Sequence, residues 1–411
     1  MNTFVISLTA PAHDRLATIP WASLAPFTTA LEPALASILD GHPAERVVDR
    51  FLRQHRQASP NERSACVEAL FGVGLWRRRL RATLGLPSPT PLQLLGSLLR
   101  DLAHFPRAEA LLNLTLPPPT TPTDFRDLTS IPDWLADIFL ELDPASAPQL
   151  AAAFTLPGPI TLRANTLRTT RDELRELLAA RGVTTSPTRW ARDGLHVTSP
   201  RPNLLGLGLH GLFEVQDEAS QLLAELLGAE PGDAVLDLCA GAGGKSLALA
   251  AHVSPHGSVH ATDVDLSRLE RLRQRATHAH ATITVHGARP PDGLLFPRVL
   301  VDVPCSELGA LRRGPDLRWR IDPSSFSTFP ALQLELLETG LRHLTPDGQL
   351  VYATCTLRRA ENEDVISLAL DRNPRLRVLP SPFPDFTHHG FFLSRPDLHG
   401  TDGFFAARLG S

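Results

Sequence analysis

The sequence lacks any C-x-x-C pair, and its four cysteines (Cys66, Cys239, Cys305 and Cys355) are scattered over 411 residues. That spacing excludes a disulfide-stapled scaffold, offers no ligand pair for a structural metal, and suits a reducing cytoplasm. No run of about 18 apolar residues occurs, which argues against a membrane span. The opening MNTFVISLTAPAH has no basic residue ahead of its short apolar stretch, which argues against a secretory signal. The formal charge of −4 excludes a uniformly basic nucleic-acid coat, so any such site is a local patch. Lysine is almost missing: of 40 Lys and Arg residues, Lys245 alone is lysine. Drift toward GC-rich codons readily turns surface lysine into arginine. A lysine that persists can mark a need for a compact ammonium that a guanidinium cannot replace.

What is present is globular. Apolar residues make up 43% and charged residues 20%, in a chain long enough for two or three domains with ample cores. The 37 prolines mark boundaries. LTLPPPTTPTD, residues 114–124, reads as a linker because three successive prolines fit neither a helix nor a central strand. TLPGPI, residues 155–160, is a second break. Residues 1–120 read as all-helical. Ser59-Pro60-Asn61-Glu62 is a capping box, apolar positions from Cys66 to Leu84 recur at helical spacing, and Gly85 and Pro87 stop the helix. Between Glu45 and Arg81 nine Arg oppose four acids, either a solvated helix face or an RNA-facing patch. Residues 124–210 read as a small α+β module, with helices at 132–142 and 171–181 and strand-like ITLRANT and GLHVT. From Gly211 to Ser411 strands alternate with helices (AVLDL, SVHATD, RVLVDV, GQLVYAT) in an α/β, doubly wound pattern.

AVLDL runs into Cys239-Ala240-Gly241-Ala242-Gly243-Gly244-Lys245 and then an Ala/Leu helix. Glycines let such a turn approach a ligand closely. The next strand ends at Asp263, 22 residues after Gly241, where an acid suits a ribose diol. The turn lacks the full G-x-G-x-x-G that brackets a pyrophosphate, which favours S-adenosylmethionine over NAD. Asp302 and Cys305 end one strand and Cys355 another, and C-terminal strand ends form the ligand crevice of such a sheet. Free cysteines are often core hydrophobes, but two thiols and an acid at equivalent strand ends favour chemistry.

DVPCSELGALRRGPDLRW and YATCTLRRAENED resemble the Pro-Cys and Thr-Cys motifs of the RsmB/Nop/Sun family of RNA 5-methylcytosine methyltransferases. DLCAGAGGK is similar to the family's cofactor loop. GLFEVQDEASQL, HGTDGFFAARL and TLRANTLRTTRDEL resemble further segments, and ERSACVEALFGVGLWRRRL is similar to the NusB-like helical domain of the RsmB branch. The resemblance implies a Rossmann-like methyltransferase core, a small α+β module and a helical RNA-binding domain. It implies a cytoplasmic monomer acting on RNA, small-subunit rRNA before tRNA, with no membrane partner. It assigns the nucleophile that adds to carbon 6 of cytosine to Cys355 and assistance in release to Cys305. Asp302 would hold the base edge. Lys245 would lie against Asp302 and the base or shape the cofactor loop. Residues 239–245, Asp263 and Asp302 would bind S-adenosylmethionine. A nearby cation would favour the thiolate, and an unstacked base would be needed. Two positions depart from the family: Ala242 replaces a usual proline, and Gly287-Ala288 lacks an acid that reads adenine, for which Asp292 is a candidate substitute. A non-catalytic RNA-binding or antitermination protein, and less so an NAD-dependent oxidoreductase, are the competing readings.

Overall fold

The computed structural model describes residues 3–199 and 202–410. Residues 1, 2, 200, 201 and 411 lie outside the described residues, and with them the tip of the MNTFV segment and the outer ends of the first and last expected domains. The chain divides into two units, Met1–Pro157 with Leu311–Pro323, and Gly158–Ala310 with Ser324–Ser411.

The first unit is helical: α1 (Thr3–Ala17), α2 (Thr28–Leu39), α3 (Ala44–Gln54), α4 (Pro60–Leu84), α5 (Pro91–Ser97), α6 (Ala108–Leu112), α7 (Phe125–Leu128), α8 (Asp133–Leu142) and α9 (Ala147–Ala153). The expected capping box at Ser59 and Glu62 starts α4, and Gly85 ends it in the left-handed conformation at φ 62°. One helical stretch, Trp21–Leu39, is apolar and long enough to cross a membrane by composition, which the sequence reading did not flag. It contains Pro26 and Pro33, and its Trp21, Leu24, Phe27, Leu31, Leu35 and Ile38 are buried in the unit's own core, as in a core element.

Two expectations are corrected here. The proline stretch at 114–124 is not a free linker: the Thr120 amide donates to the Thr83 carbonyl, Arg100 donates to the Pro117 carbonyl, and α7 to α9 continue the same unit as far as Pro157. The working boundary is the TLPGPI break. The Arg-rich stretch also splits by role. α4 runs through the core, so Arg77 and Arg79 are buried and satisfy the carbonyls of Ile38 and Leu128, while Arg78 pairs with Asp127 and Asp133. Arg46, Arg50, Arg53, Arg56 and Arg81 remain exposed. Residues 311–323 also belong to this unit. The Asp316 carboxylate accepts the Ala44 amide at the start of α3, and Arg318, fully buried, donates to the Phe154 carbonyl.

The second unit holds two sheets. The smaller contains β1 (Thr161–Ala164), β2 (Thr185–Pro187), β3 (Gly194–Val197) and β4 (Phe213–Val215), antiparallel in the order β2-β3-β1-β4, with α10 (Arg171–Ala179) packed on it. Residues 213–215 fall within the expected larger α/β domain, but as β4 they pair with β1, so the module extends past residue 210. The larger sheet contains β5 (Ala234–Asp237), β6 (Ser258–Thr262), β7 (Ile283–Gly287), β8 (Phe296–Asp302), β9 (Leu344–Thr354), β10 (Arg377–Val378), β11 (Thr387–His388), β12 (Phe391–Ser394) and β13 (Phe404–Gly410). Its path is β11-β12-β13-β9-β8-β5-β6-β7, with β7, β6, β5, β8 and β9 parallel and β13 antiparallel to β9. Helices α11 (Glu218–Leu226), α12 (Gly244–Val253), α13 (Leu266–Ala279), α14 (Phe329–Arg342) and α15 (Glu363–Arg372) complete the expected α/β alternation. Val235, Leu236 and residues 299–301 are fully buried, as both faces of a parallel sheet require.

Candidate active site

Parallel strands deliver their C-terminal ends to one edge, and the chemistry-bearing side chains cluster there. β5 ends at Asp237 and turns through Cys239 to Gly243 into α12. Gly243 has φ 87°, and a Cβ there would lie 2.1 Å from Leu272 Cδ1, so only glycine fits. Asp263, just past β6, does not line the cavity described below. Its Oδ2 accepts the Gly241 amide at 2.8 Å and its Oδ1 accepts the Asp265 amide at 2.8 Å, so it braces the loop.

The single lysine is the first residue to cross the site. Lys245 Nζ donates to Asp302 Oδ2 at 2.7 Å and sits 5.4 Å from the centroid of the Phe404 ring. Burial pulls the Lys245 ammonium down, but the adjacent Asp302 carboxylate outweighs burial and leaves it raised. Asp237, which the sequence reading passed over, is 1% exposed. Its Oδ2 accepts the Ser246 hydroxyl at 2.6 Å, while its Oδ1 is buried without a partner. Burial pushes its carboxyl up to about 7.

The two strand-end thiols meet: Cys305 Sγ and Cys355 Sγ are 3.3 Å apart. The hydrogen bond with Cys305, then burial, holds the Cys355 thiol well above its ordinary range. The residues that follow them also meet, with Ser306 Oγ and Thr356 Oγ1 2.8 Å apart. Glu361, fully buried, accepts the Ser306 amide and hydroxyl, the Arg358 guanidinium and the Gln333 amide, and Gln333 also donates to the Pro304 carbonyl. Ser306, Gln333, Thr356 and Glu361 thus tie the two cysteine turns together. Sequence reasoning quoted three of them inside motifs without a role, because the pairing spans up to 55 residues. Gly309 donates its amide to the Cys355 carbonyl at 2.9 Å, and its own Cβ would lie 1.9 Å from the Gly403 carbonyl, which explains a glycine in both ELG and TDG.

A cavity of about 150 Å³ opens at this edge, lined by Gln216, Ser220, Asp237, Cys239, Ala240, Gly244, Lys245 and Asp302. Of the expected cofactor residues it brings together Cys239, Ala240, Gly244, Lys245 and Asp302, whereas Gly241, Ala242, Gly243 and Asp263 are not in its lining. An unpartnered buried carboxylate oxygen suits a cationic group, and the uncapped first turn of α12 suits an anionic one. This donor set fits the zwitterionic amino-acid end of S-adenosylmethionine. Cys239 is a half-buried wall thiol whose pKa burial raises, which argues against a reactive role. Gly287 ends β7 with open space where a Cβ would stand, its carbonyl accepts the Asp263 amide, and Asp292 is exposed.

A family model described as 16S rRNA methyltransferase RsmB/F matches residues 224–410, and one for the ferredoxin-like domain of RsmF/B-like methyltransferases matches residues 131–203. The probable ribosomal RNA small subunit methyltransferase B of Synechocystis sp. is 34% identical over 298 residues, which span 68% of this chain and 66% of that protein. The ribosomal RNA small subunit methyltransferase B of Vibrio cholerae is 35% identical over 289 residues, 68% of this chain and 64% of that protein. The chain therefore spans just under two thirds of the length of these relatives. The crystal structure of a methyltransferase homolog protein from Pyrococcus horikoshii superposes with a TM-score of 0.61 at 28% identity, covering 70% of this chain and 97% of that one.

Proposed function

The chain belongs to the RsmB/F family of 16S rRNA methyltransferases, and on that premise we propose that it methylates carbon 5 of a cytosine in RNA, small-subunit rRNA before tRNA, acting as a monomer. The observation that carries this reading is the pair of thiols 3.3 Å apart on adjacent strand ends, beside a lysine–carboxylate pair. S-adenosylmethionine supplies an electrophilic methyl group on a sulfonium.

Carbon 5 of cytosine is too weak a nucleophile to take that methyl unaided. The Cys355 thiolate adds to carbon 6, forming a sulfur–carbon bond and turning the ring into an enamine whose carbon 5 is nucleophilic enough to take a methyl group. The Cys305 thiolate then takes the carbon 5 proton, the electron pair returns to the ring, and the bond from carbon 6 to Cys355 breaks, leaving Cys355 as the thiolate. In the resting site the Cys305 contact keeps Cys355 protonated. The base must open that contact, and the Lys245 ammonium, which interacts electrostatically with Cys355, then favours the thiolate. Asp302, oriented by Lys245, holds the base edge. Loop residues 239–245 and Asp263 shape the cofactor's place. The exposed face of α3, where Arg46, Arg50 and Arg53 recur at spacings of four and three residues, would hold RNA phosphates.

The competing reading, an RNA-binding protein with an inactive core, draws on the missing acid at Gly287-Ala288. Tritium release from RNA carrying 5-tritiated cytosine separates the two. With cofactor present, Cys305→Ala should accumulate a protein–RNA adduct that survives denaturing gels, and Cys355→Ala should form none. The double variant should behave as Cys355→Ala. No tritium release from any RNA, with no adduct in either variant, would overturn the proposal.

A further inference from the structure

The RANTLR segment of the small sheet has no task in the methyl transfer, yet its side chains run toward the cofactor loop. Asn165 donates to the carbonyls of Gly211 and Ala279, and Arg168 donates to those of His210 and His278. These bonds fasten the small sheet to the end of α13. Arg163, on β1, does something else. It is 6% exposed; its Nε donates to Gln216 Oε1 at 2.7 Å and its Nη2 to the Gly244 carbonyl at 3.2 Å. Both acceptors belong to residues that line the cavity.

A guanidinium has only donors. Gln216 must therefore turn its oxygen toward Arg163, which directs its NH2 to Ser220 Oγ at 3.1 Å. Ser220 accepts that bond, so its own proton is free to point elsewhere. Gln216 and Ser220 are each 8% exposed. The wall they form meets the first turn of α12, a ten-residue helix whose N-cap, Gly243, has no side chain to satisfy its free N–H groups. Asp237, with its unpartnered buried oxygen, completes the lining as an acceptor. A buried guanidinium beside a helix N-terminus is disfavoured in itself, because burial and the helix dipole both oppose its charge. Burial lowers the Arg163 pKa to about 10, with Glu214 partly offsetting it. An apolar side chain would fill the same space at lower cost. What the guanidinium adds is a fixed orientation for Gln216.

We propose that Arg163 is a positioning residue for the carboxylate of the cofactor's amino-acid end: it locks Gln216 so that Gln216, Ser220 and the first turn of α12 present donors to that carboxylate, while Asp237 faces the ammonium. The small sheet thereby sets the cofactor selectivity of a site on the neighbouring sheet. This inference rests on the S-adenosylmethionine reading of the cavity.

Calorimetric titration of the full chain with S-adenosylmethionine and with its decarboxylated analogue tests it. A hydrogen-bonded carboxylate is worth roughly ten- to a hundredfold in affinity, so the intact protein should prefer S-adenosylmethionine by that ratio. Arg163→Met should weaken S-adenosylmethionine by about tenfold or more and leave the analogue within about twofold, collapsing the ratio. A variant that weakens both ligands equally, or neither, overturns the inference, since a merely structural arginine would not move the ratio. If Arg163→Met fails to melt cooperatively, Gln216→Leu carries the same comparison with the same two outcomes. Failure of the intact protein to bind either ligand would instead overturn the cofactor reading, and this inference with it.

Discussion

Replacing Lys245 by methionine keeps the reach of the side chain and deletes its charge. At the 2.7 Å separation from Asp302, two unit charges attract by about 6 kcal/mol at an effective dielectric of about 20. Much of that offsets desolvation, for the side chains are only 12% and 29% exposed. Water reaches the carboxylate, so the loss on urea unfolding should be about 2–3 kcal/mol, below the roughly 3–5 of a fully buried pair. The raised folded-state pKa of Lys245 sets the pH window: the pair's stabilisation is fully present below the free lysine value of about 10.4 and is lost as pH rises through the folded value. The same substitution removes a cation that favours the Cys355 thiolate. In a Cys305→Ala background, iodoacetamide alkylation of Cys355, followed by peptide mass against pH, should show a midpoint raised by about one unit or more, equivalent to about 1.4 kcal/mol. Lys245→Arg keeps the charge and should leave that midpoint nearly in place. Its broader guanidinium crowds the place where Asp302 holds the base edge, so RNA methylation should fall by orders of magnitude. Coincident alkylation midpoints for the intact residue and Lys245→Met would refute the electrostatic role. Near-normal methylation by Lys245→Arg would leave the solitary lysine an accident of codon usage.

Three further outcomes are expected. Ala288→Asp should tighten S-adenosylmethionine binding by roughly ten- to a hundredfold in calorimetry, by restoring a charge-assisted hydrogen bond to adenine; no gain would mean another group already reads that edge. Substituting Arg46, Arg50 and Arg53 together by Gln should weaken RNA binding and lower the salt slope by about three phosphate equivalents, and an unchanged slope would demote the α3 face to a solvated surface. Asp237→Asn should raise stability at neutral pH, because a carboxyl held near 7 in the folded state and near 3.9 in the unfolded chain makes stability fall as pH rises between those values, by up to about 4 kcal/mol. Equal stability–pH slopes for the two proteins between pH 4 and 7 would contradict the buried, unpartnered carboxyl.

The strand ends were legible because local chemistry dictates them. A β-rich apolar run followed by a glycine turn specifies β5, the loop and α12, and the parallel alternation then brings Asp302, Cys305 and Cys355 to one edge. The α4 cap was legible for the same reason, since Ser59, Pro60, Glu62 and Gly85 act within a few residues of one another. What stayed hidden depends on distant partners. Nothing near Arg77 or Arg79 says that their guanidinium groups satisfy carbonyls at Ile38 and Leu128. Nothing near Glu361 says that it organises a turn 55 residues away. Asp237 reads as an ordinary strand end, and only three-dimensional burial leaves its second oxygen alone.

The membership of residues 311–323 in the helical unit has a topological consequence. The polypeptide passes between the two units three times, after Pro157, after Ala310 and after Pro323. A single protease nick at any one of these crossings leaves the other two covalent connections between the units intact. Deleting residues 1 to about 120 would not excise a module cleanly: it would strip Asp316 of the α3 amide that it caps and leave Trp319 without the Leu75 carbonyl that accepts its indole N–H. The helical half is thus stitched rather than appended, and exchanging it between relatives requires two segments to be grafted together, one of them beginning at Leu311, nine residues after Asp302.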